Sequence, residues 1–399
     1  MRGDGAEAAD GGRRALGPVS RLVVKVGTSS LVDGAGGISQ ARVARLVREV
    51  ARVVAEGREC VLVSSGAIAA GLGPLGLRRR PARLPALQAA AAVGQGRLMW
   101  EYSRHFARHG LVAAQVLLTR EDVERRRQFV NAQRTFAELF RRGIVPVVNE
   151  NDTVATEEIT FGDNDLLAAL VAVLVRADLL VLLSDVDGVY TRHPRDRRAH
   201  LVSELRDPGE VRAAGPGFHL ASGGMQSKLL AARVAAGAGI PTVVANAAQR
   251  SVLARVLAGE PLGTLVPAAG DRPRARKAWL AFASGASGRI VVDAGAERAL
   301  REEGKSLLPA GVVAVEGSFQ AGDVVELVGP DGRVFARGRS RWSAGELARA
   351  EARARGGQGR EVVHRDDLAL LAVPGSLAPG GADRARTRSG GRGDGRRAG

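Results

Sequence analysis

The chain has 399 residues, enough for two or three domains. Its 45% hydrophobic and 25% charged residues are typical of folded proteins and exclude wholesale disorder. The single cysteine, Cys60, excludes a disulfide framework and a cysteine-rich zinc site, and it fits the cytoplasm, where we expect the protein. We expect no membrane span, because the most apolar stretch, 166–183, is interrupted by Arg176 and Asp178.

The net charge is +16, and only four of the 58 basic residues are lysine: Lys25, Lys228, Lys277 and Lys305. A basic chain raises nucleic acid as a partner. Part of the excess lies in an arginine-rich tail, however, and aromatic residues, which form stacking platforms, are only 4%. We therefore do not expect nucleic acid to be the main partner. Each lysine is informative, because lysine and arginine are not interchangeable in a tight phosphate site.

Short apolar runs alternate with longer amphipathic ones through the first two thirds of the chain. The apolar runs predict strands at 22–26, 60–63, 111–117, 144–148, 179–183 and 241–244. The amphipathic runs predict helices at 39–56, 86–109, 120–142, 166–177 and 226–238. This alternation predicts an α/β domain over 19–266, with a mainly parallel sheet sandwiched by helices. In such sheets functional residues gather at the carboxyl ends of the strands.

Residues 267–276 are rich in proline, arginine and alanine, which predicts a linker, and the pattern changes after them. Residues 277–373 predict a small, mostly antiparallel β domain with one or two short helices. Its predicted strands are 288–292, 312–315, 323–328 and 334–337, with a tight turn at 330–332. Residues 1–18 and 374–399 lack apolar anchors, and we expect both extensions to be disordered.

Two segments have the composition of anion cradles. Lys25 lies in an apolar strand, where its burial is costly without an anion, and Gly27 with its small neighbours leaves backbone N–H groups accessible. Segment 222–228 opens a predicted helix with a glycine pair, two hydroxyls and Lys228. A lysine that extends to the solvent at a sheet edge is the alternative for Lys25. The chain has neither a P-loop nor a dinucleotide-binding motif.

Carboxylates and amides are concentrated in two further segments, 149–152 and 162–165. The segments hold seven such side chains, which is more than a helix cap requires, although one of them can serve as a cap. The set suits an amino-acid substrate, since carboxylates bind its ammonium and amides its carboxylate. A direct metal site is the alternative, although no histidine accompanies the segments and Mg²⁺ usually binds through nucleotide phosphates. The 185–188 segment suggests a calcium loop but lacks the EF-hand pattern.

Taken in order along the chain, these motifs resemble the amino acid kinase family, and within it the glutamate 5-kinases. The motifs that carry the resemblance are 24–29 (VKVGTS), 65–71 (SGAIAAG), 149–152 (NEND), 162–165 (GDND), 185–190 (DVDGVY) and 223–228 (GGMQSK). The resemblance spans roughly 20–370. The C-terminal part is similar to a PUA domain, including His364, Arg365, Asp366 and Asp367 near its end.

The resemblance implies that ATP phosphorylates the side-chain carboxylate of L-glutamate, giving glutamyl 5-phosphate and ADP in the first step of proline biosynthesis. It also implies feedback inhibition by proline, Mg²⁺ carried on the nucleotide phosphates rather than in a protein metal site, a homo-oligomer, and handover of the product to glutamyl phosphate reductase. The alternatives are another carboxylate or carbamate kinase of the same family, and accessory RNA binding through the PUA-like domain.

The same resemblance assigns roles to individual residues. Lys25 and Lys228 are implied to stabilise charge on the transferring phosphoryl group, and Asp165 to orient them. Ser65, Asp152 and Asn164 are implied to bind glutamate. The implied ATP site comprises Lys25, Ser184, Asp185, Ser222, Gly223, Gly224, Met225, Gln226, Ser227 and Lys228. Departures from the family pattern are small: Ser64 and Ser184 stand where threonine is expected, and Ala221-Ser222 where Gly-Thr is common.

Overall fold

The computed structural model describes residues 16, 18–33, 37–154, 164–192, 196–206, 223–269, 277, 280–281, 286–351 and 360–371. The expected N-terminal extension lies almost wholly outside this set, as do the C-terminal tail and linker residues 270–276. Of the motif residues, Gly162, Asp163 and Ser222 are outside the described residues.

The first domain is built on a seven-stranded sheet with the order β3-β4-β2-β1-β5-β6-β7. Its strands are β1 (Arg21–Val26), β2 (Glu59–Ser64), β3 (Ala113–Leu118), β4 (Val145–Glu150), β5 (Leu179–Ser184), β6 (Thr242–Asn246) and β7 (Thr264–Val266). Its helices are α1 (Gln40–Ala55), α2 (Ala67–Leu72), α3 (Leu84–Ala107), α4 (Arg120–Glu124), α5 (Arg126–Arg141), α6 (Asn164–Val175), α7 (Gly223–Gly237) and α8 (Val252–Leu257). All neighbouring strands are parallel except β7, which pairs antiparallel with β6.

Helices cover both faces of this sheet, which confirms the predicted sandwich. Along β1, Leu22 and Val24 pack toward α1, α3 and α8, whereas Val23 packs toward α5, α6 and α7. Side chains alternate between faces along a strand, so a continuous apolar strand serves both cores. Helix α6 is buried on nearly all sides, as its unbroken apolar sequence after Asp165 requires.

The predicted helix at 120–142 is wrong as a single element. Arg125 has an extended backbone, with φ −83° and ψ 120°, and separates α4 from α5. Thr119 and Asp122 form a capping box that starts α4. The amphipathic pattern continues across this break, so periodicity alone did not reveal it.

The second domain is a five-stranded sheet with the order β12-β11-β10-β8-β9. Its elements are β8 (Gly288–Val292), α9 (Ala294–Glu302), β9 (Val312–Gly317), β10 (Val324–Val328), β11 (Val334–Ser340), α10 (Ala344–Glu351) and β12 (Val363–Leu370). The mostly antiparallel prediction is confirmed, with one exception: β8 and β10 pair parallel. Strand β12 went unpredicted because Arg365 and Asp366 interrupt its apolar alternation.

The two sheets are joined by apolar packing. Leu280, Ala281, Val324 and Ala369 belong to the same buried cluster as α6 and α7 of the first domain. Within the described part of the chain, no helix is long and apolar enough to cross a membrane.

Candidate active site

Two lysines and one carboxylate form a buried ion cluster at the centre of the first domain. Lys25 Nζ lies 2.5 Å from Asp165 Oδ1, and Lys228 Nζ lies 3.0 Å from Asp165 Oδ2. The Asp165 side chain is 0% exposed, and those of Lys25 and Lys228 are 4% and 10% exposed. We call Lys25, Asp165 and Lys228 the lysine–carboxylate cluster.

Three different elements deliver these side chains to one point. Lys25 comes from β1, which lies between β2 and β5 in the sheet. Asp165 lies in the first turn of α6, and Lys228 lies in the second turn of α7. Ser227 Oγ donates to Asp165 Oδ2 at 3.0 Å, which fixes the start of α7 against the carboxylate. The cluster is therefore held by the sheet and two helices rather than by loops.

The cluster is charged to receive an anion. Two ammonium groups face one carboxylate, so an anion that enters beside Asp165 would meet two cationic side chains. The β-carbon missing at Gly27 would lie 3.7 Å from Lys25 Nζ, and at Gly224 the corresponding distance to Lys228 Nζ is 3.9 Å. Glycine at both positions thus leaves the approach to each ammonium open. The N-terminus of α7 adds backbone N–H groups and a favourable dipole for phosphate.

A chain of amide hydrogen bonds lies next to this cluster. Gln95 accepts from Asn149 Nδ2 at 2.8 Å, and Asn149 Oδ1 accepts from Asn164 Nδ2 at 2.9 Å. Asn164 Nδ2 also lies 2.9 Å from Ser65 Oγ and 3.2 Å from the Ser64 carbonyl oxygen. Asn164 Oδ1 is buried and has no hydrogen-bond partner among the described residues. A buried acceptor of this kind is costly unless a donor, such as a substrate ammonium, meets it.

Close packing of α2 against α3 places Gln95 in this chain. A β-carbon at Gly71 would lie 1.9 Å from the Ala90 carbonyl oxygen, and one at Gly94 would lie 1.8 Å from that of Ala67. Only glycine permits this backbone approach. The glycine- and alanine-rich sequence after β2 therefore has a structural cause, and the close approach brings α3 to the carboxyl end of β4.

The amide chain forms one wall of a cavity of about 280 Å³. We call it the amide-walled cavity, and its polar lining residues are Thr28, Ser65, Arg80, Asn149, Glu150, Asp152 and Asn164. Gly66, Ala67, Ile68, Ala69, Leu72 and Val32 complete the wall. Asn164 lines the cavity and the adjacent Asp165 binds both lysines, so the cavity and the cluster are neighbours.

The two carboxyl groups of the cavity hold their protons more tightly than usual. Burial, reinforced by the nearby Asp152 charge, raises the pKa of Glu150 to about 8. Burial also raises the pKa of Asp152, and the Arg80 guanidinium opposes that shift. A substrate ammonium between these groups would favour their ionised forms, because an opposite charge stabilises a carboxylate.

Two of the predicted nucleotide residues, Ser184 and Asp185, lie at the carboxyl end of β5. Ser184 is buried at the end of β5 and its hydroxyl donates to Asp185 Oδ1 at 3.2 Å.

Asp187 accepts from Asn246 Nδ2 at 3.0 Å and from the Tyr190 hydroxyl at 3.1 Å. Protein donors thus occupy Asp187, which disfavours the calcium-loop interpretation. No group of three or more metal-binding side chains is found in the described ranges.

Comparison with known proteins identifies the family of this chain. The model of the amino acid kinase family matches residues 20–246, and the PUA domain model matches residues 288–364. The chain belongs to the amino acid kinase family. The glutamate 5-kinase of Streptomyces coelicolor is 51% identical over 373 residues, covering 90% of this chain and 99% of the relative. That of Moorella thermoacetica is 47% identical, with 90% and 98% covered. That of Mycobacterium tuberculosis is 47% identical, with 90% and 97% covered.

The structure brings together most of the residues that the motifs predicted in this member of the family. Lys25, Asp165 and Lys228 form one cluster, and Ser65, Asp152 and Asn164 line one cavity. Residues 223–228 form the start of α7.

Five polar residues of the site were not predicted individually: Thr28, Arg80, Gln95, Asn149 and Glu150. Asn149 and Glu150 belong to a motif that was expected as a group to suit an amino acid, and their place at the end of β4 was a usable signal. Gln95 lies on a long helix and Arg80 in the loop before it, and nothing in the sequence separates them from neighbouring polar residues.

Proposed function

We propose that the protein transfers the terminal phosphoryl group of ATP to the side-chain carboxylate of L-glutamate. The observation that carries this proposal is the Asp165 carboxylate held between two buried lysines beside a cavity with amide and carboxyl walls. The identity of about half of all aligned residues with glutamate 5-kinases supports the same reaction.

The lysine–carboxylate cluster suits phosphoryl transfer. Transfer requires positioning and neutralisation of charge on the phosphoryl oxygens more than covalent assistance. We assign that neutralisation to Lys25 and Lys228, and we assign Asp165 to holding both ammonium groups in place. The glutamate carboxylate is ionised at neutral pH, so it attacks without a general base.

The cavity suits the amino-acid end of glutamate. We assign the substrate ammonium to Asp152 and to the unpaired Asn164 Oδ1, since both are acceptors in a partly buried site. Ser65 is held by Asn164 and is assigned to the glutamate site with them. In this orientation the side-chain carboxylate points toward the neighbouring lysines.

We assign the nucleotide to Ser184, Asp185 and segment 222–228 together with Lys25. The N-terminus of α7 and the open faces of Gly27 and Gly224 fit its phosphates. Mg²⁺ bound to those phosphates would neutralise further charge. The chain's own contribution is the pair of lysines.

Several finer features accompany this proposal. They are feedback inhibition by proline, a homo-oligomer, product handover to glutamyl phosphate reductase, a cytoplasmic location, and a division at 19–266 and 277–373 with a linker between. RNA binding through the second domain is the alternative accessory role, favoured only by the basic charge.

The test is ATP-dependent hydroxamate formation with glutamate, aspartate and N-acetylglutamate, with and without proline. Glutamate should be strongly preferred. N-acetylglutamate should react poorly, because it lacks the ammonium that Asp152 and Asn164 bind. Equal turnover of N-acetylglutamate would favour a different carboxylate kinase.

A further inference from the structure

A second cavity, of about 480 Å³, lies where the two domains meet. Its lining comes from the end of α7, from Lys277 and Ala281 of the connecting segment, from the end of α9 with the residues after it, and from β12. We call it the junction cavity. It shares no lining residue with the amide-walled cavity, and the kinase reaction proposed above does not use it.

The junction cavity is lined by four cationic side chains and one carboxylate. The cations are Lys277, Arg301, Lys305 and Arg365, and the carboxylate is Asp366. Arg301 is held by Glu297 at 2.7 Å and lies over the Phe335 ring at 4.7 Å. Lys305 pairs with Glu303 at 2.5 Å, with 66% of the lysine side chain exposed. Exposed pairs of this kind contribute little and exchange partners readily.

The end of α9 accounts for only part of the positive charge of the junction cavity. Arg301 lies in the last turn of α9, where the helix dipole favours cations, and Lys305 lies three residues beyond the end of that helix. Lys277 and Arg365 come from the connecting segment and from β12, and neither has an ion-pair partner among the described residues. These two side chains therefore give the cavity a positive charge that the helix end does not account for.

The distribution of lysine also supports an anion site in the junction cavity. Of the 58 basic residues only four are lysine, and two of these form the lysine–carboxylate cluster. The other two, Lys277 and Lys305, both line the junction cavity. Lysine supplies a compact point charge that binds phosphate where a planar guanidinium does not fit. Arg365 belongs to segment 364–367, which carries the similarity to a PUA domain, and it contributes charge to this cavity.

The remaining lining is apolar. Ala281, Leu300, Leu368, Ala369 and Leu370 contribute carbon surface beside the cations, and the volume is within the range of small-molecule sites. A ligand that suits both parts carries two or more negative charges on one side and a flat or apolar group on the other. We propose that the junction cavity binds an organic polyphosphate of the nucleotide class.

The test is isothermal titration of the full chain with ATP, without glutamate, at fixed ionic strength. The wild type should bind two ATP molecules per chain, one at the active site and one at the junction. Lys305→Ala combined with Arg365→Ala should weaken the second binding event at least tenfold and leave the first unchanged. Lys228→Ala should weaken the first and leave the second. Both junction side chains are exposed, so the paired variant should fold.

The matched control is Arg289→Ala combined with Arg333→Ala, which removes two exposed charges from the second domain outside the cavity. It should retain both binding events. Inorganic triphosphate should bind the junction more weakly than ATP, because it lacks the group that contacts the apolar lining. One ATP per chain in the wild type, or equal losses in the junction and control variants, would overturn the proposal. So would a short RNA oligonucleotide that binds the cavity where ATP does not.

Discussion

The two halves of the candidate active site hold their charges in opposite ways. In the lysine–carboxylate cluster, three charged groups are buried together and bind one another at 2.5 and 3.0 Å. In the amide-walled cavity, burial raises the pKa values of Glu150 and Asp152, and the buried Asn164 Oδ1 has no donor among the described residues. The cluster is complete before any substrate arrives, whereas the cavity is complete only with one. Substitutions should therefore affect catalysis and stability at the cluster, and substrate affinity at the cavity.

The largest effect should come from Asp165→Asn. The substitution leaves two buried ammonium groups without their carboxylate, and breaking a buried pair costs about 3–5 kcal/mol. We expect a large fall in melting temperature together with loss of turnover. Thermal unfolding and ADP release in a coupled assay measure both. A variant as stable as the wild type would show that water reaches and solvates the two ammonium groups.

The next effect should come from Lys25→Ala and Lys228→Ala. Loss of one preorganised donor to the transition state lowers turnover by about 10²–10³. Lys→Arg should restore little, because the guanidinium is larger and directs its donors in a plane. Arg333→Lys, in an exposed turn, is the control and should match the wild type. Normal turnover in Lys25→Arg and Lys228→Arg would contradict a tight phosphate site.

A smaller and different effect is expected for Asn164→Ala. The change removes the free acceptor and the support of Ser65, and a lost buried hydrogen bond of about 1–3 kcal/mol corresponds to a rise of about 5–150-fold in KM for glutamate. The KM for ATP should be nearly unchanged. Gln133→Ala is the control, since Gln133 donates to the Leu174 carbonyl outside the cavity. A fall in turnover with normal KM would place Asn164 in the cluster instead.

The smallest effect should be the pH dependence of Glu150. Its pKa rises from the ordinary 4.5 to about 8 in the folded protein, so the folded state retains a proton that the unfolded state has lost. Stability should therefore fall as pH rises from about 4.5 to about 8. Glu150→Gln cannot ionise, and the excess of its melting temperature over that of the wild type should grow across this range.

The control for Glu150 is Glu138→Gln. Hydrogen bonds from Arg141 and Arg142 lower the pKa of the exposed Glu138 to about 2. Its contribution to stability changes only as pH falls from about 4.5 toward 2, and should be constant between pH 5 and 8. A constant difference for Glu150→Gln as well would show that Glu150 is solvated.

The sequence predicted the elements that carry the cluster because each motif follows a strand or starts a helix. Lys25 lies on an apolar strand and Lys228 follows a glycine pair, and both signals are local. The cavity was less predictable. Gln95 reaches Asn149 from a helix 54 residues earlier, through a close approach that depends on Gly71 and Gly94. That contact is a product of tertiary packing, and no local pattern encodes it.

The other differences between the predicted and observed elements also arise from tertiary structure. The break at Arg125 leaves the amphipathic pattern intact, and the parallel pairing of β8 with β10 depends on the topology of the second domain. The charges of β12 hide a strand at the end of the sheet, next to β11, whose exposed residues reach the junction cavity. Polar residues at such positions interrupt the apolar alternation of a strand because their side chains face a surface and not a core.

The position of Asp165 between two lysines affects how much solvent must reorganise when a nucleotide binds. It presents two oxyanion oxygens to two ammonium groups, which is the arrangement that a phosphoryl group also offers. In the proposed reaction, the phosphate would meet Lys25 and Lys228 already held by an oxyanion and largely buried, so little water would have to leave them. Most of the solvent reorganisation would then take place on folding and not on nucleotide binding. Asp165 would serve as an internal template for the position of the phosphate.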